Sequence, residues 1–124
     1  MGSLTPAEPV CGTPLTVTTD VIGRYATITN DFNPIHVDPV FAAQSPMGGI
    51  IAHGTMSLAL IWQVLRAEFG AIRCGTAKVD IRFTKPVRID DVLTAKVEPK
   101  EDSTFFVWVE NQAGVRVIDG TARL

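Results

Sequence analysis

The chain has 124 residues, 46% of them hydrophobic, with 11 Lys and Arg against 13 Asp and Glu and a formal net charge of -2. That length holds one domain with a real core but not a second lobe, and a slightly acidic chain with scattered basic residues is not built to bind nucleic acid. So much apolar surface in so small a domain points to self-association.

In chain order, Met1 to Pro6 lacks the basic and apolar regions of a signal peptide, so a cytoplasmic protein is expected. Residues 1–12, rich in Pro, Gly and Thr, read as a flexible leader, leaving 13–124 as the domain. Cys11 and Cys74 stand alone, without the spacing of a metal or redox pair, and read as inert thiols. Thr13 to Thr19 alternates around Leu15 and Val17, as a strand does. Asp20 is placed to cap a short helix through Val21, Ile22, Tyr25 and Ile28 that ends before the bend at Asn30 to Pro34. Pro39 opens another short helical turn with Phe41 to Ala43 behind it, which Asp38 can cap, and Pro46 to Gly49 is a loop.

From Ile50 to Phe69 no charged residue occurs before Arg66, the pattern of a helix buried on all sides. A membrane span is the rival reading, but His53, Gly54, Thr55, Ser57 and Gln63 interrupt the run, and a central core helix is expected. After Gly70 the period changes to two: Val79, Ile81 and Phe83 alternate with Lys78, Asp80 and Arg82 within a strand over residues 76–87. Three more strands, roughly 92–97, 104–110 and 115–124, follow with short loops between them that favour antiparallel hairpins. Helices followed by a meander, with one long helix to lie against the sheet, make an α+β fold.

The densest chemistry lies between these elements, at Asn30-Asp31-Phe32-Asn33-Pro34-Ile35-His36-Val37-Asp38 and at His53-Gly54. Asn33-Pro34 forces a bend between Asp31 and His36, which lets a carboxylate and an imidazole converge, a common arrangement for moving protons near neutral pH. Each residue alone has a plainer role. Asp31 can be a turn former, His36 and His53 satisfied core histidines, Asn33 a brace across the bend and Asp38 a cap. A metal site from Asp31, His36, Asp38 and His53 is the competing constellation, but structural zinc sites usually show tighter ligand pairs or cysteines, and no metal is expected.

Tyr25, Asp31, Asn33-Pro34-Ile35-His36, Asp38, Phe41-Ala42-Ala43, Ile51-Ala52-His53-Gly54 and the strand Val79 to Val87 together resemble the MaoC-like (R)-specific enoyl-CoA hydratases, of the hot-dog fold, from about Leu15 onward. Asn30 stands where that family often has glycine before the aspartate, and asparagine tolerates the left-handed turn. The resemblance implies an antiparallel sheet wrapped around a long central helix. It also implies (R)-specific hydration of a trans-2-enoyl thioester, or the reverse dehydration, with Asp31 as general base and His36 as general acid. The Gly54 N–H would donate to the thioester oxygen, since amides in the first helical turn lack partners and the dipole favours negative charge there. Elsewhere one such donor is worth about 3 kcal/mol in the transition state.

Asn33, His53, Leu58, Trp62 and Leu65 are the expected substrate-binding residues, the last three along one helix face that the resemblance places in an acyl tunnel. If Trp62 faces that tunnel, the acyl group is short or compact; a place in the core or an interface is the equal alternative. Arg82, Lys85 and Arg88 are where a coenzyme A phosphate could be met. The partners implied are an enoyl-CoA or enoyl-carrier-protein substrate and a second copy of the chain in a homodimer, with no nucleic acid, no membrane and no cofactor beyond the coenzyme A of the substrate. The rival functions are a hot-dog thioesterase, which the Asp-x-Asn-Pro-x-His motif speaks against, and a non-catalytic subunit or acyl-thioester binding module.

Overall fold

The computed structural model describes residues 9–124. Six strands and four helices follow one another as β1 (Val10–Cys11), β2 (Leu15–Thr16), α1 (Thr19–Thr29), α2 (Pro34–Val37), α3 (Pro39–Gln44), α4 (Gly54–Cys74), β3 (Lys78–Phe83), β4 (Val92–Glu101), β5 (Thr104–Glu110) and β6 (Arg116–Arg123). Every strand pair is antiparallel, in the order β1-β4-β5-β6-β3, and β2 joins β4 beside β1. This is the α+β arrangement that the two periods predict.

Helix α4 lies against β4 and β5. Its buried face, Met56, Leu60, Ile61, Val64 and Leu65, meets Leu93, Ala95 and Val97 of β4, Phe105, Val107 and Val109 of β5 and Ile118 of β6 in one core. Burying each large aliphatic side chain contributes about 1.5–3 kcal/mol, so this contact is the main source of stability. No helix among the described residues is long and apolar enough to cross a membrane.

Several boundaries differ from expectation, each for a local reason. The leader expected over 1–12 gives way to strand at Val10–Cys11, which pairs with Val97 and Lys96; its first eight residues lie outside the described ones. The strand expected over 13–19 shrinks to Leu15–Thr16. Thr18 caps α1, its Oγ1 accepting from the Val21 amide at 3.0 Å, while Asp20 sits in the first turn and pairs with Arg24 at 2.9 Å. Helix α4 starts at Gly54 rather than Ile50, because the preceding amides bond elsewhere: Ile51 N–H to the Ile35 carbonyl and Ala52 N–H to the Val87 carbonyl. At its far end Gly70 (φ 85°, ψ 158°) breaks the helix before a last turn to Cys74. Strand β4 runs through Pro99 to Glu101, with a register shift between those two residues.

Candidate active site

The segment between α1 and α4 is built from side chains that replace missing backbone partners. Asn30 ends α1 in the left-handed region (φ 55°), as an asparagine there can. The Asp31 carboxylate accepts from the Asn33 amide (3.2 Å), the Asn33 side chain caps α2 at Ile35 N–H (3.1 Å), and the Asp38 carboxylate caps α3 at the Val40 and Phe41 amides (3.0 and 3.1 Å). Pro34 and Pro39 occupy the first turns of α2 and α3, where a missing N–H is harmless. The plain roles foreseen for Asn33 and Asp38 are therefore filled, and Asp31 both forms the turn and points its carboxylate outward, exposed.

The two histidines are fixed by backbone carbonyls. His36 Nδ1 lies 2.7 Å from the Ile51 carbonyl, and because a carbonyl only accepts, Nδ1 carries the proton and Nε2 is left for chemistry. His53, 1% exposed, puts Nε2–H on the Asp31 carbonyl at 2.9 Å. Its ring stacks under that of His36, with centroids 3.9 Å apart and planes at 26°, and takes the edge of Tyr25 at 4.9 Å. Tyr25 in turn bonds Thr55 through its hydroxyl at 2.6 Å. His53 is thus the floor beneath His36 and the Asp31 backbone.

One potential ligand atom from each of Asp31, His36 and His53 lies within 4.8 Å of the other two. Asp38, the fourth member of the competing metal constellation, is spent on its cap, and His53 has already committed Nε2. The buried His53 Nδ1 is left without a partner among the described residues, and the Asp31 carboxylate and His36 Nε2 form the remaining pair of free groups. Such a pair can hold a water molecule between a proton acceptor and a proton donor.

Beside them opens a cavity of about 320 Å³. Its mouth is formed by exposed Met47, Phe83, Thr84 and Lys85, its wall by His36 and Gly54, and its floor by buried Ala52, Ser57, Val87, Val117 and Ile118. A Cβ on Gly54 would stand 2.9 Å from the exposed Phe83 ring, so glycine leaves room there unless that ring shifts. A second cavity of about 350 Å³ also borders His36, together with Ile22, Val37, Ile50 and Ile89. Exposed Phe32, Val40 and Phe41 continue the apolar surface around this region.

Asp31, His36, His53 and Gly54 come together as the sequence suggests, with Asn33 bracing them. Leu58, Trp62 and Leu65 do not border either cavity that His36 lines: Leu65 is fully buried, and Leu58 and Trp62 are half-buried against the core. Of the basic residues, Lys85 alone borders the mouth; Arg82 is exposed on β3, and Arg88 reaches the Gly49 carbonyl. Sequence reasoning passed over Ser57 and Phe83. The signal for Ser57 was its place three residues after Gly54, on nearly the same helix face.

One antiparallel sheet curled around a single long helix, with the site at the helix start, defines a hot-dog domain. The fold is shared with the (R)-hydratase from Aeromonas caviae involved in PHA biosynthesis, at a TM-score of 0.77 and 24% identity over 100% of this chain and 99% of that one. It is shared too with the R-hydratase PhaJ1 from Pseudomonas aeruginosa, at a TM-score of 0.74 and 28% identity over 93% and 77%. A family model described as "MaoC like domain" matches residues 3–121, and the chain belongs to that family. In sequence it is 31% identical over 110 residues to the (R)-specific enoyl-CoA hydratase of Aeromonas caviae, covering 82% of this chain and 80% of that protein. It is 42% identical over 82 residues to the 3-hydroxybutyryl-CoA dehydratase of Methylorubrum extorquens; that match covers 66% of this chain and about half, 52%, of the relative.

Proposed function

We propose that the protein is a hydro-lyase that adds water to a trans-2-enoyl thioester, giving the (R)-3-hydroxyacyl thioester, or runs the same step in reverse. The observation that carries this reading is the fixed His36: Nδ1–H is tied to the Ile51 carbonyl, which leaves Nε2 free, a ring nitrogen lies within 4.8 Å of an Asp31 carboxylate oxygen, and His36 borders a cavity at the start of α4. The names of the hydratase and dehydratase relatives support it.

In the forward direction the Asp31 carboxylate takes a proton from water as the oxygen bonds Cβ. The electrons of the double bond move toward the thioester carbonyl, whose growing negative charge meets the Gly54 N–H at the positive end of the helix. Protonated His36 then delivers the Nε2 proton to Cα. Asp31 ends protonated and His36 neutral, and a proton passing between them through water restores the start. No metal takes part in this scheme.

The acyl portion would enter the 320 Å³ cavity, and Lys85 at its mouth is placed to meet the anionic carrier, coenzyme A or a phosphopantetheine arm. The test is the conjugated-enoyl absorbance of crotonyl-CoA and longer enoyl-CoAs, followed beside a thiol assay. Loss of absorbance without thiol release is the expected result. Thiol release would make the protein a thioesterase, and binding without either would make it a non-catalytic module.

A further inference from the structure

Helical serines and threonines usually satisfy their hydroxyls on the carbonyl four residues back. Thr27 and Thr29 of α1 do so, at the Gly23 and Tyr25 carbonyls (3.1 and 2.8 Å). Ser57 does not. It is 1% exposed, its Oγ has no hydrogen-bond partner among the described residues, and it lies on the floor of the cavity that His36 and Gly54 wall. The other floor residues, Ala52, Val87, Val117 and Ile118, offer no side-chain polar atom, so the hydroxyl is the one side-chain donor at that depth. Leaving a buried hydroxyl unmatched is unfavourable for folding, so this one calls for a partner that the chain itself does not supply.

Helix geometry says where the hydroxyl is directed. Residues three apart share a face, and helical side chains lean toward the N-terminus, so Ser57 is directed back toward the turn that begins at Gly54. Two donors, a backbone amide and a hydroxyl, then border the same cavity from one turn of helix. We infer that Ser57 Oγ–H is the second donor to the thioester oxygen, paired with Gly54 N–H, a reading that rests on the proposed hydration chemistry. Two donors fix the carbonyl plane as well as its charge. The enone then presents one face to the water held by Asp31 and His36, which is what a stereospecific addition requires.

The test has one arm that needs no turnover. Butyryl-CoA, saturated and unreactive toward water, is labelled with ¹³C at the thioester carbonyl, and its C=O stretch is recorded free and bound. The bound frequency should drop in the wild type, and part of that drop should vanish in Ser57→Ala. With crotonyl-CoA the same variant should lose about tenfold or more in kcat while KM moves little, the mark of a donor that acts in the transition state. Ser57→Cys, nearly the same size but a weak donor, should stay close to Ser57→Ala, whereas a packing role would let it recover.

Removing an unmatched hydroxyl should leave Tm equal to or above that of the parent. An unchanged stretch in Ser57→Ala, a wild type without any shift, recovery by Ser57→Cys, or a KM rise with kcat intact would overturn the inference. A wild type that shows the shift but hydrates nothing would sink the hydratase reading and leave the donor pair standing.

Discussion

Between α4 and strands β4 to β6, side chains hold the structure: Leu60, Ile61, Val64 and Leu65 interlock with Leu93, Val97, Val107 and Ile118, all almost fully buried. Between Asn30 and His53 the structure is held by hydrogen bonds to the backbone, from Asp31, Asn33, His36, Asp38 and His53. Apolar side chains there, such as Phe32, Val40 and Phe41, face outward. The first region carries most of the buried apolar contacts and the second the candidate reacting groups, and the two meet around the start of α4, where Ala52 bonds Val87 and the core residues Val117 and Ile118 close the cavity. Changing a reacting group should therefore not unfold the scaffold, and changing the scaffold should act on activity only through folding.

The sharpest way to break that division is at the pair itself. Asp31→Asn and His36→Gln should each lower turnover by at least about 10²-fold, the usual scale for a general acid or base. Stability in a denaturant titration should fall by no more than about 1.5 kcal/mol, the worth of the one hydrogen bond each side chain makes to the backbone. If either variant loses stability in proportion to activity, the site is part of the scaffold after all.

Two glycines allow the same chemical change in each region. A Cβ on Gly120 would fall 2.1 Å from the Asp80 carbonyl oxygen and 2.7 Å from the Ile81 Cα, where two backbones touch. Gly120→Ala should therefore destabilise by about 1–3 kcal/mol, the range for overpacking. At Gly54 the obstacle is the exposed Phe83 ring, 2.9 Å away, which can swing aside. Gly54→Ala should keep nearly full stability and lose about tenfold in turnover through misplacement of the substrate. Equal Tm losses in the two variants would contradict the comparison.

The smallest expected effect lies on the outer sheet face. There the Trp108 indole N–H donates to Glu110 at 2.9 Å, Lys96 lies 3.4 Å from the same carboxylate, and Arg116 covers the indole. The Trp108 hydrogen bond, helped by Lys96 and Arg116 and opposed by partial burial, holds the Glu110 carboxyl below its ordinary value. A group whose folded pKa is lowered stabilises the fold above its unfolded pKa, and that contribution fades as pH falls through the folded value. Glu110→Gln should thus lower stability at neutral pH by under about 1 kcal/mol, for a pair this close to solvent. The gap to wild type should close in acid, with turnover unchanged throughout.

The scaffold was legible where one period ran long enough, in α4 and β3 to β6, and the pair was legible because Asn-Pro announces a bend. Other features depend on partners distant in sequence. Val10–Cys11 becomes a strand only because β4 offers it an edge, and Thr18 and Asp20 are both good caps until the chain path selects one. The side of α4 that meets a cavity was not readable either. A helix apolar all round gives no direction, and the floor is closed by Val117 and Ile118, adjacent residues that are both buried, contrary to strict alternation.

His53 grips the backbone carbonyl of residue 31, not its carboxylate. Position 31 is thereby a socket: its depth is set in part by an atom that every amino acid possesses, and a side chain that can still accept from the Asn33 amide would keep the turn as well. A chain built this way can exchange the reagent it presents without rebuilding the holder, so new reactivity at this point of the fold is within reach of a single codon.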